Sequence, residues 1–96
     1  MNVNIQSLKF KATDRLIEFI NDKLDRLTKH LPQEATGADV VLKLEQDHEL
    51  GNKIVDISLR IPGHELFASK QAKTFEEACL EVCDALKNQI EKIKKH

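Results

Sequence analysis

Val55, Ile57, Leu59 and Ile61 alternate with Ile54, Asp56, Ser58 and Arg60, the period-two pattern of a strand with one apolar face. A sheet built on such a strand needs a second layer to keep that face from water. Two segments are suited to supply it. Leu16, Ile20, Leu24, Leu27 and Leu31 recur at steps of three and four, and at about 100° per residue they fall within roughly 80° of one another. Phe75, Cys79, Val82, Leu86, Ile90 and Ile93 form a second stripe of the same kind.

The rest of the chain completes a sheet. Residues 3 to 10, VNIQSLKF, alternate, but the apolar parity moves from Val3 and Ile5 to Leu8 and Phe10, which predicts a first strand with a bulge near Ser7. Val40, Leu42 and Leu44 mark a second strand, residues 54 to 61 a third, and Leu66 to Ser69 a short fourth. Pro62-Gly63 between the last two has turn chemistry. Thr13 is placed to cap the first helix, with Asp14 at its positive end and Pro32 to stop it, giving a span of about 14 to 30. Thr74 and Glu77 form a capping box for the last helix. The order is βαβββα, an α+β fold: a four-stranded mixed sheet with both helices on one face. A right-handed crossover makes strands one and two parallel; short connections make the others an antiparallel meander. Lys43, Glu45, Asp56, Ser58 and Arg60 are left on a face open to water.

A chain of 96 residues builds one core, hence a single domain over residues 1–96. No apolar run is long enough to cross a membrane, and the start, MNVNIQSLKFK, lacks the pattern of a secretory signal, so a cytoplasmic address is expected. The chemistry of an enzyme is not legible. His30, His48, His64 and His96 are scattered through loops and ends without metal-ligand spacing, and Cys79 and Cys83 alone do not make a metal site. Four apart on a helix, those two suit small buried hydrophobes better than a disulfide. No Gly-rich loop cradles a nucleotide. The expectation is a non-enzyme without cofactor, metal or small-molecule substrate, monomeric when free.

Net charge is −1, with 15 Lys and Arg against 16 Asp and Glu, so a polyanion-binding surface requires segregated charge. On the first helix Arg15, Arg26 and Lys29 share a flank, Lys23 borders the core stripe, and Asp22 dilutes the bases. On the last helix Lys87 lies on one side, Lys92 on the other, and Lys94 and Lys95 at the back; Lys70 and Lys73 precede it. Lysines near a helix C-terminus also complement the macrodipole and keep a surface solvated, so the ending KNQIEKIKKH has an ordinary explanation beside the functional one. No aromatic residue interleaves with these lysines, which points any nucleic-acid contact to phosphates and shape, as on folded RNA.

Thr13-Asp14-Arg15-Leu16-Ile17-Glu18-Phe19-Ile20, then Lys23-Leu24 and Arg26-Leu27, the strand VVLKLE at 40 to 45, Phe67-Ala68-Ser69, and Asp84, Leu86, Gln89, Ile90 and Lys92 together resemble the short ribosome hibernation-promoting factors, also called ribosome-associated inhibitor or protein Y proteins. The resemblance runs nearly end to end. It implies a fold akin to a double-stranded-RNA-binding domain. It also implies partnership with the 30S subunit and 70S ribosome, contact with 16S rRNA at the mRNA and tRNA channel through bases on both helices, and translation blocked by occupancy. Carried over by position, the contacts are Lys23, Arg26 and Lys92; Lys29, Lys73, Lys87 and Lys95 complete the expected basic set. Many relatives have a basic residue where this chain has Ala85 and Asn88, which thins the flank shared with Lys92. With His96 as its last residue, the chain is expected to lack the C-terminal domain by which long relatives pair ribosomes. A rival expectation is a protein-interaction module acting through the open sheet face, where Val41, Ile54 and Phe67 supply apolar surface.

Overall fold

The computed structural model describes residues 1–29, 31, 35–46, 49 and 51–94. Along these the elements run β1 (Asn2–Ser7), α1 (Asp14–Thr28), β2 (Gly37–Leu44), β3 (Lys53–Ile61), β4 (His64–Ala72) and α2 (Phe75–Lys94). The strand order is β1-β2-β3-β4, with β1 parallel to β2 and the other two pairings antiparallel. This is the expected βαβββα arrangement.

One apolar core lies between sheet and helices. Val40 and Leu42 of β2, Val55, Ile57 and Leu59 of β3, Ile20 and Leu24 of α1, and Cys79, Val82 and Leu86 of α2 are all sealed from solvent. No polar or charged residue is buried among the described residues. The helix starts are fixed as their sequences foretell. Leu16 N donates to Thr13 Oγ1 at 3.2 Å and Glu77 N to Thr74 Oγ1 at 3.1 Å, each satisfying a first-turn donor. Lys29 closes α1, its N–H donating to the Asp25 carbonyl at 3.0 Å; the expected stop at Pro32 lies outside the described residues.

Three local expectations change. The register of β1 on β2 is continuous from Asn2↔Gly37 to Ser7↔Leu42, so the parity shift marks the end of the strand and not a bulge. There the chain turns through Lys9, whose φ of 68° is left-handed, and Ser7 Oγ donates to the Phe10 carbonyl at 2.8 Å. That turn delivers the Phe10 ring to Phe75, stacked at 5.1 Å between centroids, and so ties the end of β1 to the start of α2. Strand β2 starts earlier than Val40 because Ala38 is also a core residue, at 0% exposure. Strand β4 runs nine residues, paired with β3 from Ile61↔His64 to Lys53↔Ala72. Lys70 occupies a core-parity position in it yet is exposed at the edge, which hides the alternation of Leu66, Ala68 and Ala72. Pro62 and Gly63, the latter at φ 82°, make the tight turn between β3 and β4.

Candidate nucleic-acid interface

The two helices run in the same sense and meet along their C-terminal halves. Leu27 and Leu31, the last members of the first stripe, are only half buried. With Cys83 and Ile90 they floor a groove of about 420 Å³ whose other lining residues are Lys23, Arg26, Asp84, Lys87 and Glu91. The floor is apolar, the α1 rim is cationic with Lys23 and Arg26, and the α2 rim is mixed, with Lys87 between Asp84 and Glu91. Charge on α2 shifts along its length: Glu76, Glu77, Glu81 and Asp84 precede Lys87, Lys92 and Lys94, with Glu91 as an acid among the later bases. This places acid near the positive end of the helix dipole and base near the negative end.

Lys23 has two weak partners. Its ammonium lies 5.2 Å from the centroid of the Phe19 ring, within range of a cation–π attraction, and 4.0 Å from Asp22. Arg26 Nε lies 3.4 Å from the same Asp22 carboxylate, one turn away. With Arg26 and Asp22 side chains 71% and 54% exposed, this pair is worth only a few tenths of a kcal/mol. Asp22 therefore restrains both bases weakly, and either can turn to a stronger anion.

The expected basic residues divide by position. Lys23, Arg26 and Lys87 come together around the groove. Lys29 is exposed at the C-cap of α1, just beyond it. Lys92 is exposed but absent from the groove wall. Relative to Leu86, Lys87 sits at about +100° and Cys83 at +60°, whereas Gln89 sits at −60° and Lys92 at −120°. Gln89 Nε2 donates to the Phe67 carbonyl of β4 at 2.8 Å, so that flank of α2 is the β4 side and Cys83 looks to α1. Lys73 is exposed at the other end of α2, roughly 20 Å along the axis from Lys87. Lys95 lies outside the described residues, as do His30, His48 and His96.

Cys79 and Cys83 both carry free thiols. Cys79 is a sealed core residue, as its place in the stripe foretells. Cys83 is only partly buried and opens on the groove, which its position at the edge of the stripe permits but does not announce. Hydrogen bonding to Cys83, with burial, pushes the Cys79 thiol well above its ordinary range. The same hydrogen bond draws Cys83 below its own, aided by Lys23 and opposed by burial and Asp84.

The open sheet face is different in kind. Lys43 Nζ lies 2.6 Å from Asp56 Oδ2 and Arg60 Nη1 2.5 Å from Asp39 Oδ2; Ser69 and Ser58 donate to Asp56 and Glu65. Its cations are thus already neutralised by neighbouring strands. Phe67 is 57% exposed, but it pairs across from Ser58 while Val41 pairs with Asp56. The polar residues Asp56 and Ser58 of β3 stand between Val41 and Phe67, so these two do not join into one apolar patch.

Among the described residues no group of three His, Cys, Asp or Glu is arranged to hold a metal ion, and no helix is long and apolar enough to cross a membrane. The family model described as sigma 54 modulation protein / S30EA ribosomal protein matches residues 3–96. A protein of Acinetobacter guillouiae named ribosome hibernation promoting factor is 31% identical, over 99% of this chain and 88% of its own length. One of the same name from Pseudomonas putida is also 31% identical, over 98% of this chain and 87% of its own. In fold the chain is similar to the N-terminal domain of Thermus thermophilus protein Y, with a TM-score of 0.84 at 22% identity over 97% of this chain and 99% of that one. It is likewise similar to a ribosomal subunit interface protein of Coxiella burnetii, with a TM-score of 0.87 at 18% identity over all of both chains. The segregated bases of the two helices thus sit in a chain that belongs to the sigma 54 modulation protein / S30EA ribosomal protein family.

Proposed function

We propose that this protein is a ribosome hibernation factor that binds the small ribosomal subunit through its helical layer, contacts 16S rRNA in the mRNA and tRNA channel, and silences translation by occupancy. The observation that carries the proposal is the convergence of Lys23 and Arg26 from α1 with Lys87 from α2 around one groove, in a chain whose relatives are named for ribosome hibernation. Such a role needs shape and positive charge, not a nucleophile, a metal or a cofactor, and it belongs in the cytoplasm. Lys29 extends the basic rim beyond the end of α1. Lys92, on the β4 side of α2, is a second contact reached only by an rRNA surface that wraps the helix. Phosphates are the natural ligands, because the aromatic ring on this face among the described residues, Phe19, lies against the Lys23 ammonium and charge is what the face offers.

A paired charge reversal tests the assignment. Lys23→Glu with Arg26→Glu is compared with Lys11→Glu with Lys70→Glu, two exposed lysines outside the expected basic set, in binding to purified 30S subunits at one fixed ionic strength. Both variants change net charge equally, so a difference reports location. The first pair is expected to lose about tenfold or more in affinity relative to the second; equal losses would refute the groove as the centre of contact.

A further inference from the structure

The sheet ends on two unlike edges. On the β4 edge the Phe67 carbonyl already accepts a 2.8 Å bond from Gln89 Nε2 of α2, and Lys70 places an exposed charge at a core-parity position. Both are devices that keep an edge from pairing with another chain. The β1 edge carries neither. Its sequence, NVNIQS, holds no charge and no proline, in a chain whose residues are 32% charged. We propose that β1 is a self-association surface, on which a second copy of this chain pairs antiparallel about a two-fold axis at Asn4 and joins two four-stranded sheets into one.

The register follows from the strand's own phase. Leu8 N donates to the Leu42 carbonyl of β2 at 3.0 Å. Successive residues of a strand turn their backbone groups to opposite sides, so Gln6, Asn4 and Asn2 also face β2, and the N–H and C=O groups of Val3, Ile5 and Ser7 face outward. The side chains of Val3 and Ile5 lie on the core side, those of Asn2, Asn4 and Gln6 on the open face. A two-fold pairing must set residues of equal parity opposite one another, or each side chain would cross to the wrong face. With the centre at Asn4, Val3 falls opposite Ile5 and the two exchange both backbone bonds. Asn2 falls opposite Gln6, and Asn4 meets its own copy at a position without backbone bonds. Apolar thus meets apolar and amide meets amide, with no like charges between the strands. A centre at Ile5 would instead set Val3 against Ser7.

The helical layer is unfinished at the same edge. Val3 and Ile5 are only half-buried, whereas Val40 and Leu42 on the next strand are sealed. Relative to Ile20, Lys23 at about −60° and Arg26 at about −120° turn to α2, while Ile17 at about +60°, Thr28 at about +80° and Asn21 at about +100° turn toward the outer edge of β1. All three are partly buried, and Ile17 takes no part in the core cluster. One helix covers two strands spaced by about 4.8 Å, so the partner's α1 would lie roughly 10 Å from this one, an ordinary packing distance. Ile17 of each copy then closes over the paired Val3 and Ile5. Asp14 and Asp25, farther round at about +120° and +140°, stay in solvent. The contact is smaller than a standard interface of about 20 to 30 residues a side, so the expected Kd is on the order of 10 to 100 µM. Lys23 and Arg26 remain uncovered on the other flank, so the pairing does not rest on the ribosomal role.

Sedimentation equilibrium of the full chain between about 5 and 500 µM tests the association, with a monomer expected at the low end and a dimer at the high end. Val3→Pro removes one outward N–H and leaves the β1–β2 bonds in place; it is expected to raise the dimer Kd at least about tenfold, while Phe67→Lys on the open face changes it less than about twofold. Asn4→Cys, in a chain also carrying Cys83→Ser, reads the register. Facing Cα atoms at a position without backbone bonds lie about 4.5 Å apart, within the disulfide range of about 4.4 to 6.8 Å, so diamide should give a covalent dimer. The two copies of Gln6 stand four residues apart along the strands, roughly 13 Å, so Gln6→Cys should cross-link at least about tenfold less. Should Val3→Pro fail to fold, the cross-linking pair decides alone. A chain that stays monomeric throughout, association unchanged in folded Val3→Pro protein, or equal cross-linking at the two positions would each overturn the proposal.

Discussion

Replacing Asp22 by Asn should tighten ribosome binding. The Asp22 carboxylate lies 3.4 Å from Arg26 Nε and 4.0 Å from Lys23 Nζ, so each base must leave it to meet a phosphate. Giving up an exposed i,i+4 pair costs about 0.3 to 0.5 kcal/mol. A carboxylate left some 8 Å from the arriving phosphate adds roughly 0.5 kcal/mol of repulsion in water, about halved by screening at 0.1 M salt. Removing the charge should recover about 0.5 to 1 kcal/mol, a two- to fivefold gain in affinity. Fluorescence anisotropy of labelled protein against 30S subunits measures this directly, and the gain should shrink below about twofold near 0.5 M salt. A loss of binding from damage cannot imitate a gain. Unchanged or weakened binding by Asp22→Asn at low salt would show that Lys23 and Arg26 are not where the polyanion sits.

Other outcomes follow from the packing. Leu86→Ala, at a side chain sealed from solvent beneath α2, is expected to lose about 2 to 5 kcal/mol in denaturant unfolding; a loss below about 1 kcal/mol would contradict its core position. Gly51 and Gly63 both have positive φ, but a Cβ on Gly51 would meet the Ala72 carbonyl at 2.2 Å whereas one on Gly63 meets nothing within 4 Å. Gly63→Ala should therefore cost about 1 kcal/mol and Gly51→Ala about 3 kcal/mol or more, read as a difference in thermal midpoint; similar shifts would refute the close approach of the loop before β3 to the end of β4.

The architecture was legible because each core element repeats one signal. The stripe of Leu16, Ile20 and Leu24, the stripe of Phe75, Cys79, Val82 and Leu86, and the alternation of Val55, Ile57 and Leu59 leave few ways to bury all three at once. What escaped was decided by contacts at long range. Lys70 at a core-parity position concealed the length of β4, and Ala38 looked too small to mark the start of β2. The turn after Ser7 resembled a bulge because both shift parity; only the continuous β1–β2 register separates them. At the candidate interface, residue spacing put Lys87 and Lys92 on opposite sides of α2, but spacing cannot say which neighbour lies on which side. The Gln89 contact with β4 resolves that, and it groups Lys87, not Lys92, with Lys23 and Arg26. Cys83 sits at the edge of the α2 stripe in the sequence, but only the groove beside it shows what that edge opens on.

Co-sedimentation of the wild-type protein with 30S subunits across a salt series tests the central claim most directly. Three to five phosphate contacts from the bases of the helical layer give a slope of about −2 to −4.5 in log affinity against log salt, a loss of about 20- to 500-fold between 50 and 200 mM. The account predicts that the protein pellets with the subunit at low salt and leaves it along such a slope. Protein that stays in the supernatant at 50 mM salt, or that pellets with no dependence on salt, would contradict it.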